Sequence, residues 1–183
     1  MTLEKKIAEK VKGFVAGIEK ICYRMIIIPT LLSEAREYAE FADIFWMEEY
    51  LKSAQKYAEK CGKDISVKVS EIKKIGYTLA ARKYAELGDV FTMEEYLKSA
   101  RKCAEKCRAN ISDQIEEIRE IGYKTAVLLE LEVAKKYAEF RDVVRMELFI
   151  RRVKRYAKKC GMDISDQIKK IREIYKKGAE ELR

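Results

Sequence analysis

The sequence predicts an all-α chain of stacked antiparallel helical hairpins, about seven helices in one domain. Three observations carry that expectation. Residues 35–80 recur as 81–126 without a gap, with 28 of 46 positions identical. One proline (Pro29) and eight glycines in 183 residues are too few turn-formers for a many-turned β fold. Ile115, Ile118, Ile121, Thr125 and Leu128 follow one another at three- and four-residue spacing, the period of an amphipathic helix.

The chain opens on a partial copy, residues 1–34. Val11, Val15, Ile18, Ile21 and Tyr23 align there with Ile111, Ile115, Ile118, Ile121 and Tyr123. Its long helix holds Pro29, which is expected to kink or break it, because proline lacks an N–H and its ring meets the carbonyl four residues back. The copy 35–80 follows. Its short helix should start after Asp43 and end at Cys61-Gly62, where glycine can turn left-handed. A long helix should then start at Ser66 as its N-cap and stop near Gly88. The copy 81–133 has a short helix after Asp89, with Thr92 and Glu95 as a capping box. Arg108 replaces the terminal glycine, so that end should differ. The next long helix starts at Ser112, and Asp113 suits its positive N-terminus. The copy 134–183 has a short helix from Asp142 to Cys160-Gly161 and a last helix from Ser165. No copy alone buries its apolar face, so each needs its neighbours.

The spacing between copies is unequal. Tyr38 to Tyr84 is 46 residues, but Tyr84 to Tyr137 is 53. The extra seven fall near 125–132, and seven residues are about two helical turns, which lengthen a helix and keep its buried face in phase. The partial copy has a similar excess: Tyr23 to Tyr38 is 15 residues, against 7 from Tyr77 to Tyr84. If the long helices stack in order, the shorter middle one leaves a notch. Its walls would be Met25–Leu32 and Ala126–Leu131, with Ile27 and Leu128 meeting a partner helix or a second copy. The competing arrangement has the two extensions packing on each other.

GDVFTMEEYLKSA, residues 88–100, resembles the turn and second helix of tetratricopeptide-like hairpins, through Gly88, Asp89, Tyr96 and Ala100. The period departs from the usual 34, and the first-helix tryptophan is missing. The resemblance is to the helical-hairpin repeat class. It implies stacked antiparallel helices and a role in binding, with no catalytic residues to carry over.

Composition narrows the chemistry. There is no histidine, which removes the commonest general base and metal ligand together. Cys103 and Cys107 are four apart, but zinc wants four ligands, so neither a metal nor a cofactor is expected. Cys61, Cys107 and Cys160 share one register and are expected as buried, unpaired thiols. Five cysteines, an odd number, point to a reducing, cytoplasmic setting. No secretory signal is read at the start. Glu19, Lys20 and Arg24 interrupt the apolar run 13–32, so a membrane span is not expected. One asparagine and three glutamines beside 70 charged residues is a thermophile pattern.

Several residues stand out. Gly76 and Gly122 lie inside long helices and mark a close crossing, with a hinge as the second reading. Tyr38, Tyr84 and Tyr137 recur in register and are expected to pack between layers. Trp46 is replaced by Thr92 and Arg145 in the other copies, so it is expected to be exposed, as a contact residue or in a private packing role. Glu48, Glu49, Glu94 and Glu95 suit helix starts. The net charge of +8 is local: residues 127–183 carry 16 basic against 10 acidic groups. Arg145, Arg151, Arg152, Arg155, Lys158 and Lys159 should form one positive surface, able to contact phosphates or an acidic protein.

There is no nucleophile–base pair, phosphate loop or metal set, so no enzyme is expected. The expected function is a cytoplasmic interaction module that binds a protein partner, or itself, through its helical surface. Nucleic-acid binding by the basic last repeat is the second reading.

Overall fold

The computed structural model describes residues 3–180, so the outer ends of the 1–34 and 134–183 copies, residues 1–2 and 181–183, lie outside the described residues. The elements are α1 (Leu3–Cys22), a π turn (Tyr23–Ile27), α2 (Ile28–Glu40), α3 (Ile44–Cys61), α4 (Ser66–Glu86), α5 (Val90–Lys106), α6 (Ser112–Glu139), α7 (Val143–Cys160) and α8 (Ser165–Glu180). The fold is all-α, and there is no strand among the described residues.

Pro29 interrupts the first long α-helix, as expected, with a π turn rather than a clean break. It sits at the start of α2, and the π turn before it absorbs the defect. The Ile28 N–H donates to the Tyr23 carbonyl, five residues back, so the chain stays helical past the proline. Arg24 Nη2 donates to the Cys61 carbonyl at 2.6 Å and ties this turn to the end of α3.

The short helices start as expected. The Asp43, Asp89 and Asp142 carboxylates accept from the Trp46, Thr92 and Arg145 N–H groups at 3.2, 3.0 and 2.9 Å. Thr92 forms no capping box with Glu95; its hydroxyl donates to Asp89 instead, at 2.7 Å. The serines are not the caps of the long helices. Asp64 and Asp163, two residues earlier, accept from the Ser66 and Ser165 N–H groups at 2.8 and 3.0 Å. Those bonds hold the Asp64 carboxyl below its ordinary range. Arg108 ends its helix as the glycines do: its φ of 54° matches 65° at Gly62 and 69° at Gly161.

The helices gather into two compact units. The first holds residues up to Leu79 with Ser99–Asn110, and the second holds Ala80–Lys98 with Ile111 onward. In the first, α2 and α3 form an antiparallel hairpin. Ala35, Ala39, Met47, Leu51 and Ala54 fill its centre, and Ile65, just before α4, with Val69 and Ile72 of α4 closes it. In the second, α6 and α7 form the hairpin around Val127, Ala134, Met146, Ile150 and Val153, closed by Ile164, Ile168 and Ile171.

Gly76 and Gly122 are close crossings. A Cβ at Gly76 would sit 2.5 Å from Met47 Sδ and 3.3 Å from Ala39 Cβ. One at Gly122 would collide with Met93 Sδ and lie 3.3 Å from Ala85 Cα. The tyrosines stack within hairpins rather than between layers: Tyr38 on Tyr50, Tyr84 on Tyr96 and Tyr137 on Phe149, at 5.4, 5.6 and 5.4 Å between centroids. Of the three cysteines in register, Cys61 is buried, whereas Cys107 and Cys160 are half-buried near helix ends.

Candidate functional site

The two extended helices each wall a groove, and each groove lies within one unit. Met25–Leu32 and Ala126–Leu131, expected as the walls of one notch, belong to different units, and within its own unit each extension lines a groove with the next long helix. In the first unit, Ile28, Pro29, Leu32 and Arg36 of α2 face Lys68, Glu71 and Ile72 of α4 across a cavity of about 370 Å³. In the second, Leu128, Leu131 and Lys135 of α6 face Gln167, Lys170, Ile171 and Ile174 of α8, with Met162 at one end, across about 470 Å³. Most of the lining positions correspond. Pro29, Leu32 and Arg36 match Leu128, Leu131 and Lys135, and Lys63, Lys68 and Ile72 match Met162, Gln167 and Ile171.

The same scaffold thus carries two chemistries. The first groove is lined by Ser33, Arg36, Lys63, Lys68 and Glu71 over an apolar floor. In the second, Leu128, Met162 and Ile174 extend the apolar floor to the rim, where Glu132, Lys135 and Lys170 stand. Leu128 is 58% exposed, so this apolar wall opens to solvent. Ile27 is half-buried in the π turn.

The basic residues of α7 share one side of the helix. Arg145, Arg151, Arg152, Arg155, Lys158 and Lys159 are all exposed, opposite buried Met146, Ile150, Val153 and Ala157. Three of them are engaged within the chain. Arg145 pairs with Asp142 at 3.4 Å and lies over the Tyr137 ring. Arg152 reaches Glu130 at 2.7 Å, and Lys159 donates to the Tyr123 hydroxyl at 2.9 Å. Among the described residues, Arg151, Arg155 and Lys158 make no ion pair.

Trp46 is exposed at the start of α3, edge-on to Phe45 at 5.2 Å. It belongs to a pattern that the sequence reading missed. All three hairpin turns expose two large apolar residues in one register: Phe41 and Phe45, Leu87 and Phe91, Phe140 and Val144. The signal was available, since these residues flank the capping aspartates of every copy.

The acidic residues at short-helix starts do more than face a dipole. Glu94 accepts from Arg119 Nε and Nη2, both at 2.9 Å, and from the Tyr123 hydroxyl at 2.6 Å. Glu48 does the same with Lys73, at 2.6 Å, and with Tyr77. Glu147 takes Arg172 at 3.0 and 3.1 Å. Each acid–base pair is 25 residues apart, a spacing that could have been found in the sequence. Burial pushes the Glu94 carboxyl up, but its bonds from Arg119 and Tyr123 outweigh this and hold it below the ordinary range. A depressed carboxylate stabilises the fold above its unfolded pKa, and that contribution is lost as pH falls through the folded pKa. Glu94→Gln is therefore expected to cost about 1–2 kcal/mol at pH 7. In thermal melts its deficit should shrink below about pH 4.

Glu130 is the reverse case. Its Oε2 is buried with no hydrogen-bond partner among the described residues. Burial raises its carboxyl, against the pull of Arg152. A raised carboxyl destabilises the fold while ionised. Glu130→Leu should therefore stabilise by about 1 kcal/mol at neutral pH, because Arg152 is exposed enough to hydrate. That gain should vanish at pH values below the unfolded carboxyl pKa. A lower melting temperature at pH 7 would refute the assignment.

Among the described residues, no group of three or more acidic or cysteine side chains is placed to hold a metal ion, and no helix is long and apolar enough to cross a membrane. No protein-family model, curated protein or solved structure matches the chain.

Proposed function

We propose that the chain is a non-enzymatic helical-repeat module that binds another protein in the groove between α6 and α8. The observation that carries this is the apolar lining of that groove. Exposed Leu128 and half-buried Ile174 flank a floor of buried Leu131 and Ile171, the form that takes the i, i+3, i+4 side chains of an amphipathic helix. The mixed charges of Glu132, Lys135 and Lys170 at the rim suit a partner helix with a polar outer face. The likeness to tetratricopeptide-like hairpins supports a binding role for the class, and the odd cysteine count supports a cytoplasmic setting.

Nucleic-acid binding by α7 is the second reading. It rests on Arg151, Arg155 and Lys158, exposed and without ion pairs among the described residues. A photo-reactive amino acid placed at Leu128 or at Arg155, in cells that produce the full chain, separates the two. The proposal expects a protein adduct from position 128 that Ile174→Glu abolishes and that persists at high salt. A nuclease-sensitive adduct from position 155 alone, falling steeply with salt, would reject it.

A further inference from the structure

One set of positions is buried in the later copies and open in the first. Ile111, Ile115 and Ile118 are 7%, 2% and 0% exposed, and Ile164, Ile168 and Ile171 are as well covered. Val11, Val15 and Ile18 hold that register in α1, and they are 55%, 50% and 46% exposed. Beyond this shared face, α1 carries an addition that the repeat does not need. Lys68, Gln114 and Gln167 occupy the register of residue 14 in the other copies, all exposed, whereas α1 places Phe14 there, 71% exposed.

Phe14 completes a seam. Ile7, Val11, Phe14, Ile18, Ile21 and Met25 follow one another at alternating spacings of four and three, the pattern of a helix that packs along its length on another helix. All six are exposed. With Val15, they carry on the order of 800 Å² of accessible apolar surface, one partner's share of a specific interface and more than an isolated monomer usually shows.

We infer that α1 is a self-association helix, pairing antiparallel with the α1 of a second copy. The seam is self-complementary in that orientation. Ile7 meets Met25, Val11 meets Ile21 and Phe14 meets Ile18, so every seam residue of one helix finds an apolar one on the other. Gly17 lies beside the two-fold axis, where each copy meets its own equivalent. No atom lies within 4 Å of a Cβ built there, so nothing in the chain itself requires a glycine at this position. Ala8 and Cys22 flank the seam opposite one another. The pairing closes on itself and leaves the α6–α8 groove of each copy free, so the dimer presents two grooves.

Sedimentation equilibrium of the full chain tests this. The expected species is a dimer of the 21.4 kDa chain that is not weakened by salt. Phe14→Gln with Ile18→Gln should weaken it by about a thousand-fold or more, with the helical content of α2–α8 unchanged. Ala8→Cys should cross-link to Cys22 of the second copy under mild oxidation, because these positions face each other only in the antiparallel pair. A chain that stays monomeric when concentrated, an open-ended polymer series, a dimer indifferent to the double variant, or a dimer with no link between positions 8 and 22 would each overturn the inference. So would a monomer that binds anionic vesicles through α1. The groove proposal survives any of these results, since Leu128 and Ile171 are not on α1.

Discussion

Gly122→Val is expected to destabilise the chain by about 3 kcal/mol or more, and to do so through two atoms that have nowhere to go. A Cβ at this position meets Met93 Sδ and stands 3.3 Å from the Ala85 backbone. Met93 is fully buried, so its side chain cannot swing into solvent, and Ala85 can yield only if α4 shifts on α6. Valine adds two methyls to that collision. Gly17→Ala is the control. It lies inside a helix as Gly122 does, but nothing stands within 4 Å of its Cβ position. Alanine there should raise helix propensity by about 1 kcal/mol. Chemical denaturation of both variants checks the pair. A mild effect at Gly122 would mean that the crossing is looser than described.

Ile118→Ala is expected to cost about 2–5 kcal/mol, whereas Ile18→Ala, at the same register of the repeat, should cost close to nothing in the monomer. Ile118 is fully buried in the second unit, and deleting three carbons leaves a cavity. Ile18 is 46% exposed, so alanine there creates no cavity. Urea titrations in dilute solution give both numbers. Equal losses at the two sites would show that α1 is covered within the chain.

These two pairs show where sequence reasoning ran out. The repeat, the helix periods and the aspartate caps were legible because each depends on neighbours within a few residues. The cover over a face was not. Val15 and Ile115 look alike in sequence, yet Val15 is exposed and Ile115 buried. The seven-residue extensions were legible too, but helical phase does not say which helix an extension will face, so the two grooves within the units were not foreseen. The end at Arg108 differs, as expected, in that α5 stops at Lys106, one residue short of the register of Cys61 and Cys160, but the left-handed turn that follows it was not foreseen. The interruption at Pro29 was legible, but its form was not, because a π turn can absorb a missing N–H without ending the helical path. The basic residues of α7 were found, but their engagement with Asp142, Glu130 and Tyr123 was not, because two of those partners lie on α6.

We propose that this chain works by burying open apolar helix surface against another protein. Hydroxyl-radical footprinting of the chain, free and in the complex isolated from its own cells, tests that most directly, because it reads side-chain cover residue by residue. The predicted result is loss of reactivity at Leu128, Met162 and Ile174, with Leu148, exposed among the α7 arginines, unchanged. Protection of Leu148 with the three groove residues still reactive would contradict it and move the working surface to the basic face of α7.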